Sequence, residues 1–347
     1  MLAAVYHGPR DIRVEGRPRP TIGPTEALLE VVSAGICGTD VRIYHGAHRK
    51  YPPGTERIPG HEFVGDIAEV GDYVRGLAHG QRVFVAPNIG CGRCRQCVGG
   101  NNNRCADYAA FGVTMDGAFA EYVRIPAVAI RQGNVIPIST ETDPAAAALI
   151  EPLACVLHGQ DVLDIQPDDV VLVIGAGPIG LMHLMLARLR GAKRVVISDL
   201  LPDRLALATR TGADRAVNPV EEDLARVLEE VSGGHGADVV IVAAPAHRAQ
   251  EESVERAAIG GRINFFGGLP KDRPTIKLNS NLVHYKELSV TGTTACSTAD
   301  CLRAAAIVEA GHIDLAPLVS DTFPLEQAIE AFGVAEGHES LKVVITP

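Results

Sequence analysis

Four thiols crowd one short stretch, CGRCRQCVGGNNNRC, at Cys91, Cys94, Cys97 and Cys105. Gaps of two residues let one turn present neighbouring corners of a tetrahedron, and zinc takes four thiolates at about 2.3 Å. A closed four-thiolate set leaves no open position, so a zinc ion held here is structural. Three other stretches carry ligand types more sparsely: GICGTD holds Cys37, PGHEFVG holds His61 and Glu62, and LIEPLAC holds Glu151. Taken singly, each is an ordinary turn or core residue. Taken together they offer one thiolate, one imidazole and carboxylates. That is the donor set of a catalytic zinc, with three protein ligands and one position left for water or substrate.

A different chemistry is written in VVLVIGAGPIG. Gly175, Gly177 and Gly180 form G-x-G-x-x-G directly after a continuous apolar run and at the start of a helix. The first glycine makes the tight turn, the second lets backbone approach a pyrophosphate, and the third allows close helix–strand packing. Pro178 suits the first helical turn, whose free N–H groups favour phosphate. Asp199 closes the next apolar run, VVISD, where a carboxylate accepts from the adenosine ribose hydroxyls and favours NAD over NADP. Arg204 either pairs with a phosphate or lies on a solvated helix face.

The elements that must position these residues fall into three parts. Residues 1–152 read as β-rich: apolar runs are cut often by Gly and Asp, as in FVGDIAEVGDYVRGLAHGQRVFVAP, which predicts a barrel-like antiparallel domain. The four-cysteine lobe occupies about 88–108 of it. Residues 153–293 alternate strand and helix, which predicts a parallel sheet with helices on both faces. Residues 294–347 hold two helices and end in LKVVITP, a strand that needs a sheet and is expected to return to the first domain. The fold class is therefore α/β, a β-rich domain joined to a doubly wound one.

The chain has 347 residues with 32 Lys+Arg against 42 Asp+Glu, a net charge of −10 that gives no reason to bind nucleic acid or an anionic membrane. No apolar run is long enough to span a bilayer, and the first twenty residues do not read as a signal peptide. Eight cysteines, mostly at ligand spacings, fit a reducing compartment. A cytoplasmic enzyme is expected.

In this order, Cys37, His61–Glu62, the four-cysteine lobe, Glu151 and Gly175–Gly180, the sequence resembles the zinc-containing medium-chain alcohol/polyol dehydrogenases, on the sorbitol (L-iditol)/threonine dehydrogenase side. The resemblance covers nearly the whole chain. It implies a GroES-like catalytic domain, a Rossmann domain, an active site in the cleft between them, two zinc ions per chain, NAD, and a homodimer or homotetramer. Cys37, His61 and Glu62 match the family's catalytic-metal ligands, and Glu151 matches the carboxylate that binds that metal directly or through water. Thr39 matches the first proton acceptor. Ile179, Asp199 and Arg204 match NAD contacts, and Phe266, Gly267, Gly268, Thr293 and Thr294 fall where two strand ends line the nicotinamide.

The sequence departs from the pattern in two places. Arg42 stands where many relatives have a relay histidine; either His45 substitutes, or Thr39 hands the proton to the ribose and water directly. Ala295 and Cys296 replace an Arg–aromatic pair that grips polyol. The basic stretch HRKYPPGTER, with Arg49, Lys50 and Arg57, is either an exposed loop or a clamp for a charged substrate. The expected reaction is reversible oxidation of a secondary alcohol of a polyol or sugar derivative to a ketone. A sugar-phosphate or L-threonine-type dehydrogenase is the alternative on the same fold, and a non-catalytic NAD- and zinc-binding protein is the alternative of another class. Cys155 is read as core packing, and Cys296 and Cys301 as ordinary thiols.

Overall fold

The computed structural model describes residues 1–337 and 340–347. The chain divides into two units, Met1–Ala154 with Cys296–Pro347, and Cys155–Ala295. The junctions fall inside one helix, Ile150–Asp161, and just after the strand Ser289–Gly292.

The first unit is built on the strand Ala27–Gly35, whose residues are nearly all buried. Such a strand must be covered on both faces and paired on both edges. One edge pairs antiparallel with Glu62–Val70, in a register that sets Gly35 opposite Glu62. The other edge is shared: Tyr122–Ile125 takes the first half and Lys342–Thr346 takes Ala34 and Gly35. The sheet runs Val319–Pro324, Lys342–Thr346, Ala27–Gly35, Glu62–Val70, Arg82–Val85, Val135–Pro137. All pairs are antiparallel except the first, which is parallel. Large aromatics fill the interior. Phe63 meets Phe111 edge-on at 5.6 Å, and Phe119 meets Phe332 of the helix Ala328–Glu336 at 5.7 Å. Each such pair contributes about 0.5–1.5 kcal/mol beyond the area it buries.

The second unit holds a six-stranded parallel sheet in the order Arg215–Val217, Arg194–Ser198, Val170–Ile174, Ala237–Val242, Ala257–Phe265, Ser289–Gly292. Chain order reverses between Val170–Ile174 and Ala237–Val242. That reversal is a topological switch point, where open α/β sheets bind ligands beyond the carboxyl ends of their strands. The helix Pro178–Leu189 follows with proline at its first position and all of Gly180–Leu184 buried. Gly180 is required: a Cβ there would stand 1.8 Å from the Gly175 carbonyl oxygen.

His183, in the same helix, is fully buried, and burial pushes its pKa down to about 3. Its Nδ1 faces Gln160 Nε2 at 3.3 Å, and its ring stands edge-on to Phe266 at 4.7 Å. The folded state therefore keeps the ring neutral, while the unfolded chain titrates near 6.5. Stability from this group is complete above about 6.5 and is lost as pH falls toward 3, at about 1.4 kcal/mol per unit. Acid titration of unfolding should show this slope, and His183→Leu should flatten it.

Among the described residues no helix is long and apolar enough to cross a membrane.

Candidate metal centres and dinucleotide site

The four-cysteine lobe is assembled locally. Cys94 caps the short helix Arg95–Val98, its sulfur accepting from the Cys97 amide. The four Sγ atoms lie within 4.8 Å of one another, with separations of 3.5 Å for Cys94–Cys97, 3.8 Å for Cys94–Cys105 and 4.0 Å for Cys91–Cys97. A tetrahedron with zinc–sulfur bonds of about 2.3 Å has edges of about 3.8 Å. All four cysteines are free thiols. Backbone amides of Arg93 and Cys94 pull Cys91 down to about 6, whereas burial pushes Cys97 up to about 12. Four thiolates this close need a cation, and the donor set fits zinc.

A second group joins residues distant in sequence: the ligand atoms of Cys37, His61 and Glu62 lie within 4.8 Å of one another. Cys37 sits at the N-cap of the helix Gly38–Tyr44, Glu62 opens the strand Glu62–Val70, and His61 immediately precedes it. Two charged residues not singled out in the sequence hold this group. Asp40, fully buried, faces His61 Nδ1 at 3.4 Å and accepts from the Cys37 amide at 2.9 Å and the Gly60 amide at 3.3 Å. A carboxylate facing Nδ1 favours the proton on that nitrogen, which leaves Nε2 to ligate. Burial pulls the His61 imidazolium down, but Asp40 and Cys37 outweigh it and hold the ring well above its usual range. Surroundings that draw a proton so strongly also draw a metal cation.

Lys342 is the second. Its ammonium pairs with Glu62 Oε2 in a fully enclosed contact. Burial pulls this lysine down, but Glu62, then Cys37 and Glu151, raise it above its ordinary value. Glu62 Oε1 has no hydrogen-bond partner, so it remains available to a cation. Gly35, opposite Glu62 in the ladder, makes room for the pair: a Cβ there would come within 2.5 Å of Glu62 Oε2 and 3.1 Å of Lys342 Cε.

Glu151 is buried but lies outside this triplet; its Oε1 accepts from the Cys296 thiol at 3.5 Å. Thr39 is half-buried, and its hydroxyl accepts from Arg42 Nη2 at 3.0 Å. His45 is engaged elsewhere, its Nε2 paired with Glu336. Arg57 is committed to the backbone, donating to the carbonyls of Lys50 at 3.1 Å and Val113 at 2.6 Å. Lys50 lies over the Tyr108 ring at 5.6 Å, and Arg49 is exposed.

In the second unit the carboxyl ends of the parallel strands carry the expected dinucleotide residues. Gly175 turns at φ +104°, in the left-handed region. Asp199 follows the strand Arg194–Ser198 and holds that turn, accepting from the Ala176 amide at 2.6 Å and the Leu201 amide at 3.0 Å. A Cβ on Gly177 would meet only Arg204 Nη1, at 3.7 Å, so the backbone there is open to a phosphate with a guanidinium beside it. Ile179 lies in the first helical turn. Phe266 packs on His183, Gly267 is pressed against Ala244 with 2.7 Å to a would-be Cβ, and Gly268 faces open space. Thr293 donates to Asn264 Oδ1 at 3.3 Å, and Thr294 beside it is exposed.

Residues 23–136 match the alcohol dehydrogenase GroES-like domain and residues 178–310 match the zinc-binding dehydrogenase family. The chain belongs to the zinc-binding dehydrogenases. It is 34% identical to an L-threonine 3-dehydrogenase of Chelativorans sp., over 99% of this chain and 98% of the relative. It is 31% identical to a sorbitol dehydrogenase of Halalkalibacterium halodurans, over 100% and 98%. It superposes with a TM-score of 0.91 on a protein assigned as a zinc-binding dehydrogenase from Sinorhizobium meliloti 1021, bound to NADP, at 34% identity and covering 100% and 99% of the two chains. This zinc-binding dehydrogenase is thus an oxidoreductase built from a GroES-like domain and a Rossmann-like parallel-sheet domain. The zinc and nicotinamide cofactors expected from its sequence are those of its family.

Proposed function

We propose that this dehydrogenase oxidises a secondary alcohol of a polyol or sugar derivative reversibly to a ketone, with zinc at Cys37, His61 and Glu62 and with NAD as hydride acceptor. The observation that carries the reading is the compact thiolate–imidazole–carboxylate triplet, backed by Asp40 and Lys342. Bound there, zinc supplies Lewis acidity to an alcohol oxygen and NAD supplies the hydride acceptor. Asp40 orients His61. Lys342 restrains Glu62, which therefore stays near the metal position without adding a full uncompensated charge. Thr39 takes the hydroxyl proton of the substrate. Arg42 steadies the Thr39 oxygen but cannot accept a proton itself, so Thr39 releases its own proton to the cofactor ribose or to water. Glu151, close enough to act on Lys342, serves the same metal at one remove.

A neutral substrate is favoured because Arg57 is tied to carbonyl oxygens. L-threonine is the second reading, on the strength of the relatives that carry that name. A panel of polyols, L-threonine and sugar phosphates, followed by NADH absorbance, separates them. Activity only with charged substrates, lost on Arg49→Ala, overturns the polyol reading. We further propose a homodimer or homotetramer, which sedimentation tests.

Asp199→Ala should weaken NAD by about tenfold, the loss of about 1.4 kcal/mol, and narrow the preference over NADP. Titration with both dinucleotides checks this; an unchanged preference removes Asp199 from its role.

A further inference from the structure

We propose that Cys296 is a positioning residue for Glu151, and that Asn88 and Asn102 hold it in place from the four-cysteine lobe. The inference rests on the reading of Glu151 as a carboxylate that serves the catalytic metal.

Cys296 is fully buried, with its sulfur 3.5 Å from Glu151 Oε1 and 3.9 Å from the Glu151 carbonyl oxygen. A thiol is a weak donor, and the nearest oxygen to this one is Glu151 Oε1. Cys296 stands just before Ser297, the N-cap of the helix Thr298–Glu309, and Cys301 lies in the next turn with its sulfur 3.5 Å away. The two cysteines thus occupy the positions of a hydrophobic staple, which fixes how the chain enters the helix. Ser297 and Asp300 complete a capping box on the same turn.

The lobe grips this turn at two places. Asn88 Nδ2 donates to the Cys296 carbonyl at 3.0 Å. Asn102, which lies between Cys97 and Cys105, donates through Nδ2 to Thr298 Oγ1 at 3.1 Å and to the Asn88 carbonyl at 2.7 Å. Its Oδ1 accepts from the Thr298 amide at 2.9 Å. The Asn88 carbonyl is also bound by Asn134 Nδ2 at 2.8 Å. Cys296 is therefore tethered on both sides. Ala295, just before it, is held at φ +55°, a conformation that a non-glycine residue keeps only when its surroundings enforce it. A well-ordered lobe places the thiol, and the thiol places the carboxylate. The closed zinc site thereby reaches the chemistry of the open one.

The test uses the full chain with zinc in the lobe and cobalt(II) at the exchangeable site. Cys296→Ala should shift the visible cobalt absorption and speed chelator-driven cobalt loss by about tenfold, the usual effect of removing a partner of a metal-site group. Its kcat should fall more than its KM rises. Cys296→Ser keeps a donor and should stay within about threefold of the parent release rate. Asn102→Ala should speed cobalt loss in the same direction. Cys301→Ala removes the staple partner but leaves the thiol beside Glu151, so it should shift the cobalt spectrum and release rate less than Cys296→Ala does. Parental absorption and release in Cys296→Ala overturn the proposal, as does Cys296→Ser behaving like Cys296→Ala, or Cys301→Ala matching Cys296→Ala. If the parent protein takes up no cobalt that Cys37→Ser abolishes, the catalytic-metal reading itself fails, and the proposal with it.

Discussion

Cys37→Ser is expected to lower turnover by at least about a thousandfold, while NAD binding stays close to that of the parent. Lewis-acid stabilisation of developing charge contributes several kcal/mol, and about 4 kcal/mol corresponds to a thousandfold. Serine keeps the shape of the side chain and the N-cap geometry, but its hydroxyl is not ionised at neutral pH and binds zinc poorly. The fold around it should survive: Asp40 still accepts from the amide of residue 37, and His61 still faces Asp40. The dinucleotide residues lie in the other unit, Cys155–Ala295, so their affinity should not follow. Metal content, NADH-linked rates and NAD titration together check this. A variant that turns over at the parental rate removes zinc from the catalytic step.

In the zinc-free protein, Lys342→Met is expected to destabilise the first unit by about 3–5 kcal/mol, because it leaves the Glu62 carboxylate buried without a counter-charge. The double change Lys342→Met with Glu62→Gln should recover much of this loss, since both charges are then gone. Denaturant unfolding of the two variants measures the difference. The pH dependence has a definite sign. The folded lysine titrates above its ordinary value of 10.5, so the stabilisation is complete through neutral pH and is lost only as pH rises beyond that value. An equal loss in single and double variants would mean that packing of the lysine stem, not the charge pair, supports this corner.

Legibility in the sequence followed distance along the chain. The four-cysteine lobe and the glycine turn could be read because all their parts lie within a few residues and use types that few other structures need. The parallel sheet was legible from unbroken apolar runs such as Val170–Ile174. Asp40 and Lys342 were not, because nothing near Asp40 announces that His61 will face it, and Lys342 meets Glu62 only through the pairing of Lys342–Thr346 with Ala27–Gly35. Cys296 looked like any core thiol until the fold brought it against Glu151. Arg57 illustrates the converse. Its charge left a loop residue and a substrate ligand both open, and two carbonyl oxygens and the Tyr51 ring at 4.9 Å engage the guanidinium.

The path of the chain through the sheet of the first unit has a bearing on synthesis. Residues 155–295 are contiguous and can fold as soon as they leave the ribosome. The first unit cannot: the strand Ala27–Gly35 waits for Lys342–Thr346 on one edge, and Glu62 waits for its lysine. Until then the nascent β-rich half carries an open edge and an unneutralised buried acid, the kind of exposure that invites chaperones or wrong pairing. Premature termination shortly before residue 342 should therefore yield a product whose nucleotide half is sound and whose metal half never closes.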